Sequence, residues 1–96
     1  MSDIEESLFL QRSRMDIIAC ILEHSAGHSR KTNLIYKCNL GSNQFKVYLS
    51  LLLGTGLLRR YSEKGGRAES YEVTEKGEAF VMEYRKLKAL LEPGEG

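Results

Sequence analysis

The chain has 96 residues, 42% of them hydrophobic, with 14 Lys and Arg against 13 Asp and Glu and a formal net charge of +1. That length holds one domain with one modest core, and the longest apolar run, 49–58, is broken by Ser50, Gly54, Thr55 and Gly56, short of the ~20 residues that cross a bilayer. The start Met1-Ser2-Asp3-Ile4-Glu5-Glu6 is acidic where a secretory signal is basic, so a cytoplasmic location without a membrane partner is expected, with Cys20 and Cys38 as reduced, half-buried thiols.

Ser2 followed by Glu5, and Ser13 followed by Asp16, fit the capping-box pattern of a helix start. Residues 1–12 therefore read as a helical extension, either separate from the next helix or continuous with it. Every residue from Ile17 to Leu22 is apolar, and a helix that is apolar all round is buried. This predicts a central core helix over 14–26, stopped by Gly27. His28 to Arg30 reads as a short polar link with room for a single strand bridge. Thr32 is expected to cap a short second helix through Cys38, with Leu34, Ile35 and Cys38 inside. Asn39-Leu40-Gly41 is turn chemistry, and Ser42 stands where the N-cap of a third helix is expected. Phe45, Tyr48, Leu49, Leu52 and Leu53 form its inward stripe, leaving Gln44, Lys46, Val47 and Ser50 outside. Gly54-Thr55-Gly56 ends it. Leu57 to Tyr61 and Ser70 to Thr74 are strand-like, with Gly65-Gly66 at the tip of the hairpin between them. Thr74 then caps a last helix that carries Glu75 and Glu78 in its first turn, where the helix dipole favours anions. On that helix Phe80, Tyr84, Leu87 and Leu91 recur like a coiled-coil seam, ended by Pro93-Gly94. The seam suits either a second copy of the chain or the domain's own core.

Charge is unevenly spread. Residues 1–28, 29–71 and 72–96 carry net charges of −3, +6 and −2. A polyanion responds to the local field of the face it meets, so the small total does not exclude one.

The order helix, helix, helix, hairpin, helix is that of a winged helix-turn-helix: mostly α with a small β-hairpin wing, here followed by the C-terminal helix that carries the seam. The domains read as the extension 1–12, the winged domain 13–74, the C-terminal helix 75–92 and a disordered tail 93–96. Such a scaffold lays its third helix in the DNA major groove and its wing on the flanking backbone or minor groove. Arg30, Lys31 and Lys37 around the helix pair, with Arg59, Lys64 and Arg67 on the hairpin, are placed to neutralise phosphates. Asn43 and Gln44 suit adenine edges and Lys46 suits guanine, with Ser42 beside them at the helix start.

The stretches Lys31-Thr32-Asn33-Leu34-Ile35-Tyr36, Asn39-Leu40, Gln44-Phe45-Lys46-Val47-Tyr48-Leu49, Gly56-Leu57-Leu58 and Tyr71-Glu72-Val73-Thr74-Glu75-Lys76-Gly77, with Phe80 and Tyr84, resemble small archaeal winged-helix DNA-binding proteins. Those include dimeric ten-kilodalton chromatin-type members and transcription regulators. The resemblance covers residues 13–91 and implies a double-stranded DNA partner and a homodimer paired through Phe80, Tyr84, Leu87 and Leu91. Asn33, Ser42 and Val47 depart from the arginine, aromatic and cation that relatives often carry there. The last helix is also shorter than in the chromatin-type members, which favours regulation over packaging.

Cys20, His24, His28 and Cys38 are the one set with some zinc-ligand character, but Cys20 sits in the most apolar run and no close cysteine pair exists. No serine, histidine and acid set with a nucleophile turn appears. An enzyme, a cofactor, a metal and a small-molecule substrate are therefore not expected. The reading is a homodimeric, sequence-specific DNA-binding transcriptional regulator. A winged-helix protein-interaction module, suggested by apolar Val47 and Leu51 on the outer side, and a non-specific architectural DNA-binding protein stand as alternatives.

Overall fold

A computed structural model describes residues 14–62 and 69–92. The expected N-terminal extension with its Ser2 and Ser13 caps, the hairpin tip at Gly65-Gly66 and the tail from Pro93 lie outside the described residues.

Helix α1 runs over 14–23, with Ile18, Ala19, Ile21 and Leu22 buried. It stops before the expected position 26 because Ser25 is used otherwise. The Ser25 hydroxyl donates to the Ile21 carbonyl at 2.7 Å, and the Ser25 carbonyl accepts the amides of His28 at 3.1 Å and Val73 at 3.2 Å. Gly27 and His28 both take positive φ, 75° and 74°, to turn the chain out of the helix. The polar link that follows is strand β1, Ser29–Arg30, paired antiparallel with Ser70 and Tyr71. The hairpin thereby becomes a three-stranded sheet.

Helix α2, Lys31–Lys37, starts directly from that strand with Arg30 at the N-cap and no side-chain cap. Thr32 lies inside the first turn, and the expected Thr32 cap is corrected accordingly: a strand that leads straight into the helix leaves no loop for a capping hydroxyl. Asn33 instead ties the helix to the sheet, its Nδ2 donating to Ser29 Oγ at 2.5 Å. Past Cys38 at the C-cap, Asn39 adopts φ 54° and the Leu40 amide donates to the Ile35 carbonyl at 3.0 Å. Helix α3, Ser42–Gly54, has Gly41 rather than Ser42 at its N-cap. The amide of Gly41 is answered by Gln44 Oε1 at 3.5 Å, so a side chain reaching back from the third helical residue does what a Ser42 cap was expected to do.

Strands β2, Leu58–Tyr61, and β3, Ser70–Val73, complete a sheet of order β1-β3-β2, and helix α4 spans Glu75–Leu91. Ile18, Ile21, Leu22, Leu34, Leu40, Phe45, Leu52, Leu58, Tyr71 and Val81 form one core drawn from every helix and two strands. Phe45 and Tyr71 meet edge to face with centroids 6.4 Å apart, which seats α3 on the sheet. The expectation of reduced thiols is overturned. Cys20 in α1 and Cys38 at the end of α2 form a disulfide with Cα atoms 6.0 Å apart, because the two helices pack with those half-buried positions facing each other.

Candidate nucleic-acid interface

The position of α3 is set by the junction where it ends, β2 begins and α4 starts. Thr74 Oγ1 accepts the Gly77 amide at 3.0 Å as the α4 N-cap and donates to the Gly56 carbonyl at 2.6 Å. Lys76 Nζ donates to the Thr55 carbonyl at 2.6 Å, at the negative end of the α3 dipole. The Thr74 amide donates to the Leu57 carbonyl at 3.2 Å. Gly77 lies against the same Leu57 carbonyl so closely that a Cβ would overlap it. The Thr74-Glu75-Lys76-Gly77 motif is thus a clamp that holds the far end of α3.

The inward stripe of α3 is as expected from its spacing: Phe45 and Leu52 are buried and Tyr48, Leu49 and Leu53 are half-buried against the core. The opposite side presents Ser42, Asn43, Gln44, Lys46, Val47 and Ser50, all exposed. Arg30 and Lys31 at the start of α2 and Lys37 at its end are exposed as well. Among the described residues, Arg30, Lys37 and Lys46 have no ion pair, so their charge is available to a ligand.

The sheet is different. Arg59 Nε donates to Glu72 Oε1 at 2.9 Å across the β2–β3 ladder, and Arg60 Nε lies 3.3 Å from Glu69 Oε1. Tyr71 is buried beneath them, and its hydroxyl donates to Glu69 Oε2 at 2.8 Å. That hydrogen bond, with the positive charge of Arg60, holds the Glu69 carboxyl below its ordinary value. Burial, the hydrogen bond to Glu69 and its negative charge push the Tyr71 phenol up to about 12. Glu69 also shares a shallow depression with Arg30, Lys31, Thr32 and Tyr71, placing a fixed anion beside the α2 start.

Sequence reasoning offered Arg59 to a phosphate and counted Glu69 and Glu72 only as charges, without pairing them with Arg60 and Arg59. The signal was present. With a tip at Gly65-Gly66, residues equally distant from it face each other, which places Arg59 opposite Glu72, the pairing observed. Lys64 and Arg67 lie outside the described residues.

The seam on α4 divides in two. Phe80 packs on the core, and the Tyr84 hydroxyl donates to Asp16 Oδ1 of α1. Arg85 Nη2 pairs with Glu23 Oε2 at 2.8 Å, which fixes the same stretch to α1. Beyond it Leu87, Leu90 and Leu91 are 57%, 80% and 73% exposed. The four zinc-like residues are not gathered: the cysteines are bonded to each other and the His28 ring stacks on Tyr61 at 4.2 Å. Among the described residues no group of three or more His, Cys, Asp or Glu could hold a metal ion, and no helix is long and apolar enough to cross a membrane.

A family model described as winged helix-turn-helix matches residues 11–92. Among solved structures the chain is similar to Sso10a-2, a DNA-binding protein from Sulfolobus solfataricus. The identity is 25% over 79% of this chain and 78% of that one, with a TM-score of 0.69. It is similar in fold to the transcriptional regulator BldR from Sulfolobus solfataricus, at 18% identity over 95% and 83% of the two chains and a TM-score of 0.70. The fold is shared too with the transcriptional repressor CouR bound to a 23-mer DNA duplex, at 23% identity over 75% of this chain and 51% of that one, TM-score 0.64. Comparison with curated protein sequences gives no match.

Proposed function

The chain belongs to the winged helix-turn-helix family, and on that premise we propose that it is a homodimeric, sequence-specific DNA-binding transcriptional regulator that works without catalysis. The observation that carries the reading is α3 itself. Its buried stripe and the clamp at its far end fix its orientation, while Asn43, Gln44 and Lys46 stand exposed at its first two turns. Side chains there can meet base edges once the helix enters the major groove. Arg30, Lys31 and Lys37 flank it as phosphate contacts, and Ser42 at the helix start donates to a backbone oxygen. Lys64 and Arg67, expected on the wing, would add backbone contacts. The DNA-binding and regulatory descriptions of Sso10a-2, BldR and CouR agree with this assignment.

The homodimer rests on the last turns of α4. Leu87, Leu90 and Leu91 put three large apolar side chains into solvent in a helix whose earlier turns pack on the domain, and exposed apolar clusters of that kind mark interfaces. A second copy of the same helix, packed antiparallel or parallel along the Leu87 and Leu91 positions, would cover them. In sedimentation the wild type should run as a dimer and the Leu87→Asp, Leu91→Asp double variant as a monomer.

Binding to duplex DNA across a salt series tests the main reading. Affinity should fall steeply with salt, as expected when several phosphates are neutralised, and selection from a random pool should return a preferred site. No binding at low salt sinks the proposal, and equal binding to all sequences turns it into the architectural alternative.

A further inference from the structure

Phe45 and Leu52, both fully buried and seven residues apart, mark the inward line of α3. At 3.6 residues per turn the line diametrically opposite runs through Asn43, Val47 and Ser50, at intervals of four and three. All three are exposed, and Val47 is 70% so, a β-branched side chain on the most protruding ridge of the helix, between polar Asn43 and Ser50 along that ridge, with the 47% exposed Leu51 one turn on and to its side. A helix that enters the major groove ridge first brings this line closest to the bases, with Gln44 and Lys46 to its flanks.

The groove offers one apolar feature, the C5-methyl group of thymine, and one base edge that matches an Asn side chain bidentately, the N6 and N7 of adenine. Asn43 and Val47 are separated by about 6 Å along the helix axis at 1.5 Å per residue. Successive bases on a strand are about 3.4 Å apart. A helix laid along the groove therefore spans about two base steps between these two side chains. Ser50, small and polar, lets the third position of the ridge approach without a clash.

We propose that Val47 is a specificity-determining residue that packs on the methyl group of a thymine, with Asn43 reading an adenine within about two base steps of it. The assignment rests on the DNA-binding reading above. It also gives Val47, which departs from the cation often found there in relatives, a positive role: the exchange gives up a phosphate or guanine contact and gains discrimination for thymine.

The test uses the full chain and the duplex returned by selection from a random pool. Each thymine of the site is replaced in turn by deoxyuridine, which removes the methyl group and leaves base pairing intact. Wild-type affinity should fall about threefold to tenfold at one thymine per half-site and change little elsewhere. Val47→Ala should lose a similar factor on the thymine duplex and become indifferent to that deoxyuridine, while Val47→Thr, which keeps one methyl, should retain part of the discrimination. Circular dichroism of both variants checks that the exposed change leaves the fold intact. Wild-type indifference to every deoxyuridine overturns the assignment, as it would if a protein partner docked on this ridge instead. A full deoxyuridine penalty that persists in Val47→Ala, or a selection that returns no preferred sequence, overturns it as well. Absence of binding to any duplex at low salt is a different result, since it removes the DNA-binding reading itself.

Discussion

The strand pair β2–β3 and the helix pair α2–α3 both carry the positive charge that the sequence concentrates in residues 29–71, but they hold it differently. On the strands Arg59 faces and pairs with Glu72, and Arg60 pairs with Glu69 just before β3, so cations and carboxylates answer one another. On the helices Arg30, Lys37 and Lys46 have no ion pair among the described residues. Local charge in a sequence is therefore not the same as charge offered to a ligand. The strand pair spends its ionic groups on its own ladder, and the helix pair keeps them for whatever approaches.

If this division is right, changes at the sheet and its junction with α4 should act on stability, and changes on the α2–α3 face should act on binding. The largest effect is expected at Gly77. A Cβ there would overlap the Leu57 carbonyl and come within 2.6 Å of Val73 Cγ2, and one of the obstacles is backbone. Gly77→Ala should lower unfolding stability by roughly 3 kcal/mol or more, read from urea midpoints, without altering sequence preference in DNA binding. A variant as stable as its parent would show that the clamp on α3 is loose.

The disulfide comes next because it anchors the helix pair to α1. It joins residues 18 apart in sequence, and closing a loop of about that length is worth roughly 3 kcal/mol in the chain-entropy account. Dithiothreitol should lower the unfolding midpoint of the wild type by that order and leave the Cys20→Ala, Cys38→Ala double variant unmoved. Equal midpoints with and without reductant in the wild type would mean that the cross-link contributes nothing to the fold.

Tyr71 probes the sheet from below. Its folded pKa lies at about 12, above the ordinary phenol value. Since the unfolded chain gives up this proton first, the contribution is complete below pH ~10 and is lost as pH rises from there through about 12. The size of that loss is up to roughly 2 kcal/mol. Tyr71→Phe should be less stable at neutral pH yet show a shallower alkaline decline. An equally steep decline in the variant would place the alkaline sensitivity elsewhere.

The elements that were legible in the sequence are those fixed by local periodicity or turn chemistry. The α3 stripe, the end of β2 at Tyr61 and the start of β3 at Ser70, the Thr74 cap and the end of α4 near Glu92 all follow from residues within a few positions of each other. The helix starts at Lys31 and Ser42 were misplaced because their caps depend on partners that a hydroxyl pattern does not reveal: β1 runs directly into α2, and the Gln44 side chain reaches back to Gly41. The end of α1 was misplaced for a tertiary reason, the use of the Ser25 carbonyl by Val73 across 48 residues. The disulfide was missed because two cysteines in a chain of this class suggest thiols, and only the packing of α1 on α2 brings them together. For the candidate site, the outward side of α3 was legible from its spacing, whereas the neutralised state of Arg59 required the cross-strand register.

The finest test of the division between strands and helices compares two cations that the sequence offers to DNA, Lys46 for a guanine edge and Arg59 for a phosphate. Lys46 is exposed on α3 without an ion pair among the described residues, and Arg59 is held by Glu72. Removing a lysine that neutralises a phosphate reduces the slope of log affinity against log salt by about one, whatever the DNA sequence. Lys46→Ala should do this, or relax preference at a guanine if its contact is to a base edge, and leave the urea midpoint in place. Arg59→Ala should leave the salt slope unchanged and cost about 1 kcal/mol of stability or less, because the Arg59 end of its ion pair is largely exposed to water. The opposite pattern, a slope lowered by Arg59→Ala and untouched by Lys46→Ala, would mean that DNA pulls the guanidinium away from Glu72. The strands, not the helix pair, would then carry the phosphate contacts.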